Sequence, residues 1–271
     1  MLKTRILTAL VIVPATIALV FLPPSWLFRL IIALPLLMGC WEFRRLAGLS
    51  TASGWVLLSL QTIILGLMLY FWPAADMQAL TILAAGCLAW LIMLTRLAFF
   101  KEGEQVNSNY RRLGFLFALG AVTFCWFSLS WLHEQLHGRY IVFLLLLIIW
   151  ASDVGAYFSG KQFGKHKLAP VISPKKTWEG VYGGIALAIA AAFLWTSLVA
   201  GLSIPAFALV IMTALTTLTS VGGDLFISIH KRTVGLKDTG TIFPGHGGIL
   251  DRYDSLLAGA PFFALAYAVL A

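Results

Sequence analysis

The chain has 271 residues, 60% of them hydrophobic and 11% charged, with a mean hydropathy of +0.92. A soluble domain is typically about a quarter charged, so a soluble fold is excluded, and the long apolar runs indicate helical spans rather than barrel strands. The net charge of +8 does not point to nucleic acid, because the cations fall in short loops between apolar runs, where membrane topology accounts for many of them.

The first run follows Lys3 and Arg5 and ends at Leu22. Pro23 and Pro24 come next, with no small-residue cleavage site, which predicts a retained span rather than a removed signal. Nine spans are predicted in all, at about 5–22, 26–47, 54–72, 77–99, 112–132, 140–159, 179–200, 204–222 and 253–270, given that a helical span needs roughly 20 apolar residues. The last is short and contains Pro261. The expected architecture is all-α and polytopic, one transmembrane domain over residues 1–271, with the spans up to residue 132 as scaffold.

One set of loops carries Lys3 and Arg5; Arg44 and Arg45; Arg96, Lys101, Arg111 and Arg112; Lys161, Lys165, Lys167, Lys175 and Lys176; and Lys231, Arg232, Lys237 and Arg252. The opposite side has only Arg29 and Arg139. The positive-inside rule therefore places the N-terminus in the cytoplasm and the C-terminus outside. Trp26, Trp55, Trp72, Trp131 and Trp178 stand near span ends and read as an interfacial belt. Cys40, Cys87 and Cys125 lie within apolar runs without ligand spacing and read as buried thiols.

At the outer end of span five, His133-Glu134-Gln135-Leu136-His137 is an HExxH, the pattern of zinc proteases. No third ligand is evident, since Leu250–Arg252 reads LDR rather than LDG. A polar turn at the membrane surface is the preferred reading.

After span six comes Ser152–Gly184, a segment with Asp153 followed by Lys161, Lys165, Lys167, Lys175 and Lys176. A carboxylate beside a bilayer needs a partner or water. Ser173-Pro174 reads as a helix start, with serine as N-cap and proline first in the helix. That reading places Lys175 and Lys176 in a first helical turn, where they oppose the dipole unless an anion is bound there. Gly155–Lys161 (GAYFSGK) fits most of a Walker A pattern, but Gln162 replaces the Ser or Thr and a span precedes it, so the match is read as accidental. Gly180 and Gly184 form a GxxxG suited to close helix packing.

The densest polar stretch is Ser228–Asp254, with Gly222-Gly223-Asp224 just upstream. It holds Lys231, Arg232, Lys237 and Arg252 among the cations, Asp238, Asp251 and Asp254 among the carboxylates, His230 and His246, and a turn Phe243–Gly248. Charge is costly against a bilayer and marks a functional site. Cations and exposed glycine amides suit phosphates, so Gly247 and Gly248 are candidate donors. Mg²⁺ usually takes one or two protein carboxylates plus phosphates and water, and Asp224 and Asp251 could supply such a pair from facing helices.

The pattern Ser228-x-x-Lys231-Arg232, Lys237-Asp238-x-Gly240 and Pro244-x-His246-Gly247-Gly248-x-x-Asp251-Arg252-x-Asp254 resembles that of the phosphatidate cytidylyltransferases (CDP-diacylglycerol synthases). The earlier segment GKHKLAPVISPKKTWEG resembles the family's other shared stretch, so the resemblance runs over about 152–254. His230 stands where the family usually has an apolar residue, and Ile227 where many members have Glu. The resemblance implies that CTP and phosphatidate give CDP-diacylglycerol and pyrophosphate with Mg²⁺ held by Asp224 and Asp251, a second, monovalent cation beside it being the alternative to Mg²⁺ alone. It also implies a homodimer; the positive-inside reading puts the site on the cytoplasmic face of the inner membrane, and the long apolar spans would let the lipid tails stay in the bilayer.

The chemistry is consistent with these residues. A phosphomonoester has its second pKa near ~6 and is largely dianionic at neutral pH, so no strong general base is needed. The difficulty is charge, which Mg²⁺ and a ring of cations address by positioning and electrostatics. Asp251, Lys237 and His246 are the candidate catalytic residues. Ser173, Lys175, Lys176, Lys231, Arg232, Gly247, Gly248 and Arg252 are the candidate substrate ligands. His246 either protonates leaving pyrophosphate or makes a positioning hydrogen bond. Arg252 either binds phosphate or pairs with a carboxylate. The close rival is a CTP-dependent lipid kinase of the polyprenol or phytol type, which releases CDP. A CDP-alcohol phosphotransferase is disfavoured, since the chain has no Asp-Gly pair. A transporter of phosphorylated solutes is expected to carry charge along a path through the bilayer, whereas the charge here gathers at one face.

Overall fold

The computed structural model describes residues 2–73, 76–101, 103–242 and 247–271, with side chains from Leu10 onward. Among them are α1 (Leu2–Phe21), α2 (Ser25–Leu46), α3 (Thr51–Tyr70), α4 (Asp76–Phe99), α5 (Ser108–Glu134), α6 (Gly138–Phe163), α7 (Trp178–Leu198), α8 (Ala206–Thr233) and α9 (Leu250–Leu270). Eight are long and apolar enough to cross a membrane, and α1 adds the shorter apolar stretch Leu10–Phe21. The chain is an integral membrane protein, all-α but for one hairpin, β1 (Lys167–Ala169) and β2 (Ser173–Thr177), which pair antiparallel.

That hairpin corrects one expectation. No helix starts at Ser173: residues 173–177 are a strand, with Ala169 opposite Ser173 and Lys167 opposite Thr177. A two-stranded sheet consists of edges, where a proline such as Pro174 is tolerated. The helix cap falls instead to Thr177, whose side chain accepts from the Gly180 N–H at 3.1 Å. Lys175 and Lys176 thus lie on a strand, just before the cap of α7, and not in a first helical turn.

A second correction concerns α8. The predicted span ends at residue 222, but the helix continues to Thr233. A hydropathy reading stops at the first charges, whereas the backbone ladder does not require apolar side chains. Its 28 residues measure about 42 Å at 1.5 Å each, beyond the roughly 30 Å of a bilayer's hydrocarbon core. The helix ends in a Schellman motif: the Leu236 N–H reaches Lys231 O at 2.8 Å, the Gly235 N–H reaches Arg232 O at 3.1 Å, and Gly235 has φ +69°. Likewise α9 starts at Leu250 and runs unbroken through Pro261.

The core lies among α2, α4, α5, α8 and α9, around the fully buried Phe43, Trp90, Trp126, Phe127, Phe226 and Phe263. His230 joins it: it packs 4.5 Å from Phe226 and 5.5 Å from Phe43, and its Nδ1 lies 2.9 Å from Phe226 O. As a flat ring among aromatic rings it fills an apolar position, and the unusual Ile227 is fully buried too. All three cysteines are buried free thiols. Trp26, Trp55 and Trp178 are exposed as an interfacial belt requires, but Trp131 is buried against Tyr267.

Small residues set the helix spacing at two crossings. Gly180 and Gly184 lie against α6: a Cβ on Gly155 would come within 2.6 Å of Gly183 O, and one on Gly184 within 2.8 Å of Ser152 O. Gly155 and Gly160 are therefore packing residues inside α6, not parts of a phosphate loop. Between α8 and α9, a Cβ on Gly223 would meet Asp254 O at 2.7 Å and Ala258 Cβ at 2.8 Å.

The HExxH is dismantled by the fold. Helix α5 ends at Glu134, and His137 precedes α6 with φ 60°. The two histidines share no helix face. His133 is buried, with Nε2 2.9 Å from Val20 O, Nδ1 3.0 Å from Ser25 Oγ, and its ring stacked 4.0 Å from Phe28. Glu134 pairs with Arg29 and accepts from Trp72 Nε1 at 2.8 Å. His133 and Glu134 instead tie the end of α5 to its neighbours.

Candidate active site

The C-terminal ends of α2, α6 and α8 meet the N-terminal ends of α7 and α9 on one face of the bundle, and the charged residues of both sequence segments gather there. Asp224 comes from α8, one residue after the tight crossing at Gly223. Its Oδ2 is 2.5 Å from Lys176 Nζ on β2, and its Oδ1 lies 3.3 Å from Ser228 Oγ, one turn along α8. The Lys176–Asp224 pair is the direct link between the two segments. Asp254, on the first turns of α9, faces Asp224 within hydrogen-bonding reach.

Asp251 sits one turn earlier on α9, its side chain only 5% exposed. Its Oδ1 accepts from Lys231 Nζ at 2.9 Å. Its Oδ2 lies 2.8 Å from the Thr239 N–H, 3.0 Å from Thr239 Oγ1 and 2.9 Å from the Gly248 N–H. The Gly248 amide, expected to face a phosphate, is thus directed at Asp251. Gly247, at φ +81°, leaves room for that carboxylate: a Cβ there would come within 2.5 Å of Asp251 Oδ2. The loop glycines cradle a protein anion.

Two cavities flank these carboxylates. One, of about 210 Å³, lies between α6, α7, α8 and β2 and is lined by Asp153, Lys175, Lys176, Thr177 and Thr217. The other, of about 260 Å³, lies between α1, α6 and α9, with Asp251, Arg252 and Asp254 at one end and Val13, Leu146 and Trp150 beside them. Asp153 lines both. Among the described residues Lys175, Arg232, Lys237 and Arg252 are exposed and form no ion pair. Ser173 is half-buried on β2. His246, with Phe243, Pro244 and Gly245, lies outside the described residues.

The donor set fits Mg²⁺, a hard cation that needs one or two protein carboxylates and leaves the rest of its shell to phosphates and water. Asp224 and Asp254 present carboxyl groups face to face. Asp251 is placed differently, since both its oxygens already have protein donors and a cation reaching it replaces Lys231. Among the described residues no group of three His, Cys, Asp or Glu side chains could hold a metal by itself.

Sequence reasoning missed Glu42 and Thr239. Glu42, on α2, is 6% exposed and accepts from Thr239 Oγ1 at 2.8 Å, the Ile249 N–H at 3.1 Å and the Leu250 N–H at 2.9 Å. The available signal was a carboxylate within a predicted span, which by default marks function.

Comparison with known proteins gives the same direction over the whole chain. The model of the cytidylyltransferase family matches residues 3–270. The chain is 38% identical over 265 residues to a phosphatidate cytidylyltransferase of Pseudomonas aeruginosa, covering 97% of this chain and 96% of the relative. It is 34% identical over 290 residues to one of Haemophilus influenzae, covering 98% and 99%. A phosphatidate cytidylyltransferase of Bacillus subtilis is 48% identical over 126 residues, 46% of each chain.

Proposed function

The chain belongs to the cytidylyltransferase family, and on that premise we propose that it makes CDP-diacylglycerol and pyrophosphate from CTP and phosphatidate. The observation that carries the reading is the Lys176–Asp224 pair, which joins both charged segments into one site at the end of a membrane-spanning bundle. A phosphate oxygen of phosphatidate attacks the α-phosphorus of CTP. The bond from that phosphorus to the bridging oxygen of the β-phosphate breaks, and pyrophosphate leaves. The attacking dianion needs no base, in keeping with a site built of cations and carboxylates.

The cations have two roles. Lys176 and Lys231 are held at the site by Asp224 and Asp251, and a cation taken up by these carboxylates frees their ammonium groups for the substrate phosphates. Lys175, Arg232, Lys237 and Arg252 are exposed at the rim and suit the outer phosphates, with Ser173 as a further hydroxyl donor. Asp224 and Asp251, with Asp254 facing Asp224, are the residues that would hold Mg²⁺. When bound, Mg²⁺ supplies positive charge to the phosphate oxygens as charge builds on the leaving pyrophosphate. For His246 the two roles stand side by side, a proton for the leaving pyrophosphate or a positioning hydrogen bond. The apolar wall formed by Val13, Leu146 and Trp150 suits the glycerol end of a lipid whose tails stay in the bilayer.

We place the site on the cytoplasmic face of the inner membrane, where the basic loops fall by the positive-inside rule and CTP is available, and read the assembly as a homodimer. Cysteine accessibility in intact cells and cross-linking of the purified protein test these two points. The reaction is tested by incubating purified protein with labelled CTP, phosphatidate and Mg²⁺. CDP-diacylglycerol with pyrophosphate is expected. CDP with a phosphorylated lipid alcohol would replace this reading with that of a lipid kinase.

A further inference from the structure

Glu42 is a buried carboxylate whose described partners are all neutral. Burying such a group is costly unless it is hydrogen-bonded, and here the bonds come from a neighbouring helix. The N–H groups of Ile249 and Leu250 are among those left free at the start of α9. Ile249, in the N-cap position, makes no side-chain cap bond. Glu42 supplies that cap from α2, with the helix dipole in its favour. The loop closes tightly over it: a Cβ on Gly240 or on Gly248 would collide with the Glu42 oxygens.

Thr239 connects this carboxylate to the reaction site. Its hydroxyl is 2.8 Å from Glu42 Oε2 and 3.0 Å from Asp251 Oδ2, while its N–H donates to the same Asp251 oxygen at 2.8 Å. A hydroxyl has one hydrogen, so it serves one carboxylate at a time. When it turns to Glu42, Asp251 loses a donor without leaving Thr239 unpartnered.

We propose that Glu42 is a positioning residue for Asp251: through the first two amides of α9 and the Thr239 hydroxyl, it holds the Asp251 carboxylate where a divalent cation can be taken up. The proposal rests on Asp251 as a cation ligand. It is tested on the full-length protein in lipid nanodiscs, with Glu42→Gln, Thr239→Val, Thr239→Ser and Asp251→Asn beside the parent. Mn²⁺, as a probe for Mg²⁺, is titrated and its free signal followed by electron paramagnetic resonance. The Mg²⁺ concentration for half-maximal rate and the KM for phosphatidate are measured separately.

Outer-shell partners of metal ligands typically cost about 10–100-fold in metal affinity or activity when removed. Glu42→Gln and Thr239→Val are expected to weaken Mn²⁺ binding and raise the Mg²⁺ requirement by that factor, with little change in KM for phosphatidate. Thr239→Ser, which keeps the hydroxyl, restores most of the binding. If Glu42→Gln does not fold, the Thr239 pair decides. Folded Thr239→Val with the Mn²⁺ binding and Mg²⁺ requirement of the parent overturns the proposal, as does an equal rise in KM for phosphatidate, which a general loosening would give. If Asp251→Asn keeps parental Mn²⁺ binding, the assignment of Asp251 fails and the role of Glu42 falls with it. If the parent makes no CDP-diacylglycerol yet the Mn²⁺ pattern holds, only the reaction is misread.

Discussion

Replacing Asp251 by asparagine separates the structural from the chemical role of its carboxylate. In the parent one oxygen meets the Lys231 ammonium and the other meets two backbone N–H groups and the Thr239 hydroxyl. An asparagine has one oxygen and one NH₂. In either orientation its NH₂ faces a donor, whether the ammonium or the amides of Thr239 and Gly248. The side chains of Asp251 and Lys231 are 5% and 12% exposed, so this is a buried pair, and removing one partner of such a pair costs roughly 3–5 kcal/mol. Losing one preorganised electrostatic group at a reacting centre typically costs about 10²–10³ in rate, and a cation ligand is expected to reach or exceed that. The assay is CDP-diacylglycerol formation by purified protein, normalised to the folded fraction from thermal denaturation. Adding Lys231→Met to Asp251→Asn removes the stranded ammonium. Stability should then partly return while activity does not. Asp251→Asn within a few-fold of parental activity would refute the reasoning, and so would a double variant that recovers activity along with stability.

Three further outcomes are expected. Lys175→Ala with Lys176→Ala raises KM for CTP or phosphatidate, and Lys176→Ala alone accounts for most of the effect, because only Lys176 reaches Asp224; losing one hydrogen bond to a charged group, worth about 1.5–3 kcal/mol, gives a change of roughly 10–100-fold in kcat/KM. Gly223→Val overpacks the α8–α9 crossing against Asp254 O and Ala258, at a cost of about 1–3 kcal/mol in thermal or denaturant unfolding, and lowers activity by displacing Asp224. His133→Ala destabilises by about 1–3 kcal/mol by leaving its buried partners unpaired, yet leaves turnover per folded molecule unchanged, since His133 caps helix ends at the far face; elemental analysis of the parent should show no stoichiometric zinc.

Most of the architecture was legible from apolar run length, and the gathering of charged residues at one end of the bundle from the distribution of Lys and Arg. The parts that were not legible share a cause: they depend on what a residue meets across the fold. Ser173-Pro174 is a sound local helix start, and only the pairing with Lys167–Ala169 makes it a strand. The last eleven residues of α8 were hidden because hydropathy measures contact with lipid, while the helix persists wherever its ladder does. Asp224 and Lys176 were singled out separately for a cation and a phosphate, and the structure adds that they are each other's partner. Glu42 lay in a predicted span beside Arg44 and Arg45, and its meaning depends on amides more than two hundred residues away. Trp131 shows the same limit in reverse, a residue at a span end that faces protein rather than the interface.

The seam between α6 and α7 has a consequence for how this protein tolerates change. Side chains usually act as shims: when one grows or shrinks, its neighbours shift and the helices settle at a slightly different spacing. Where Gly155 lies against Gly183 and Gly184 there are no shims, only backbone on backbone. The separation of these two helices is therefore set by the van der Waals contact of one backbone with the other, insensitive to drift in composition elsewhere. The β1–β2 hairpin is slung between their ends, so the reach of Lys176 toward Asp224 inherits that fixed gauge. Lipid-facing positions along both helices can vary freely without re-spacing the site, whereas a single methyl group added at the seam would move it.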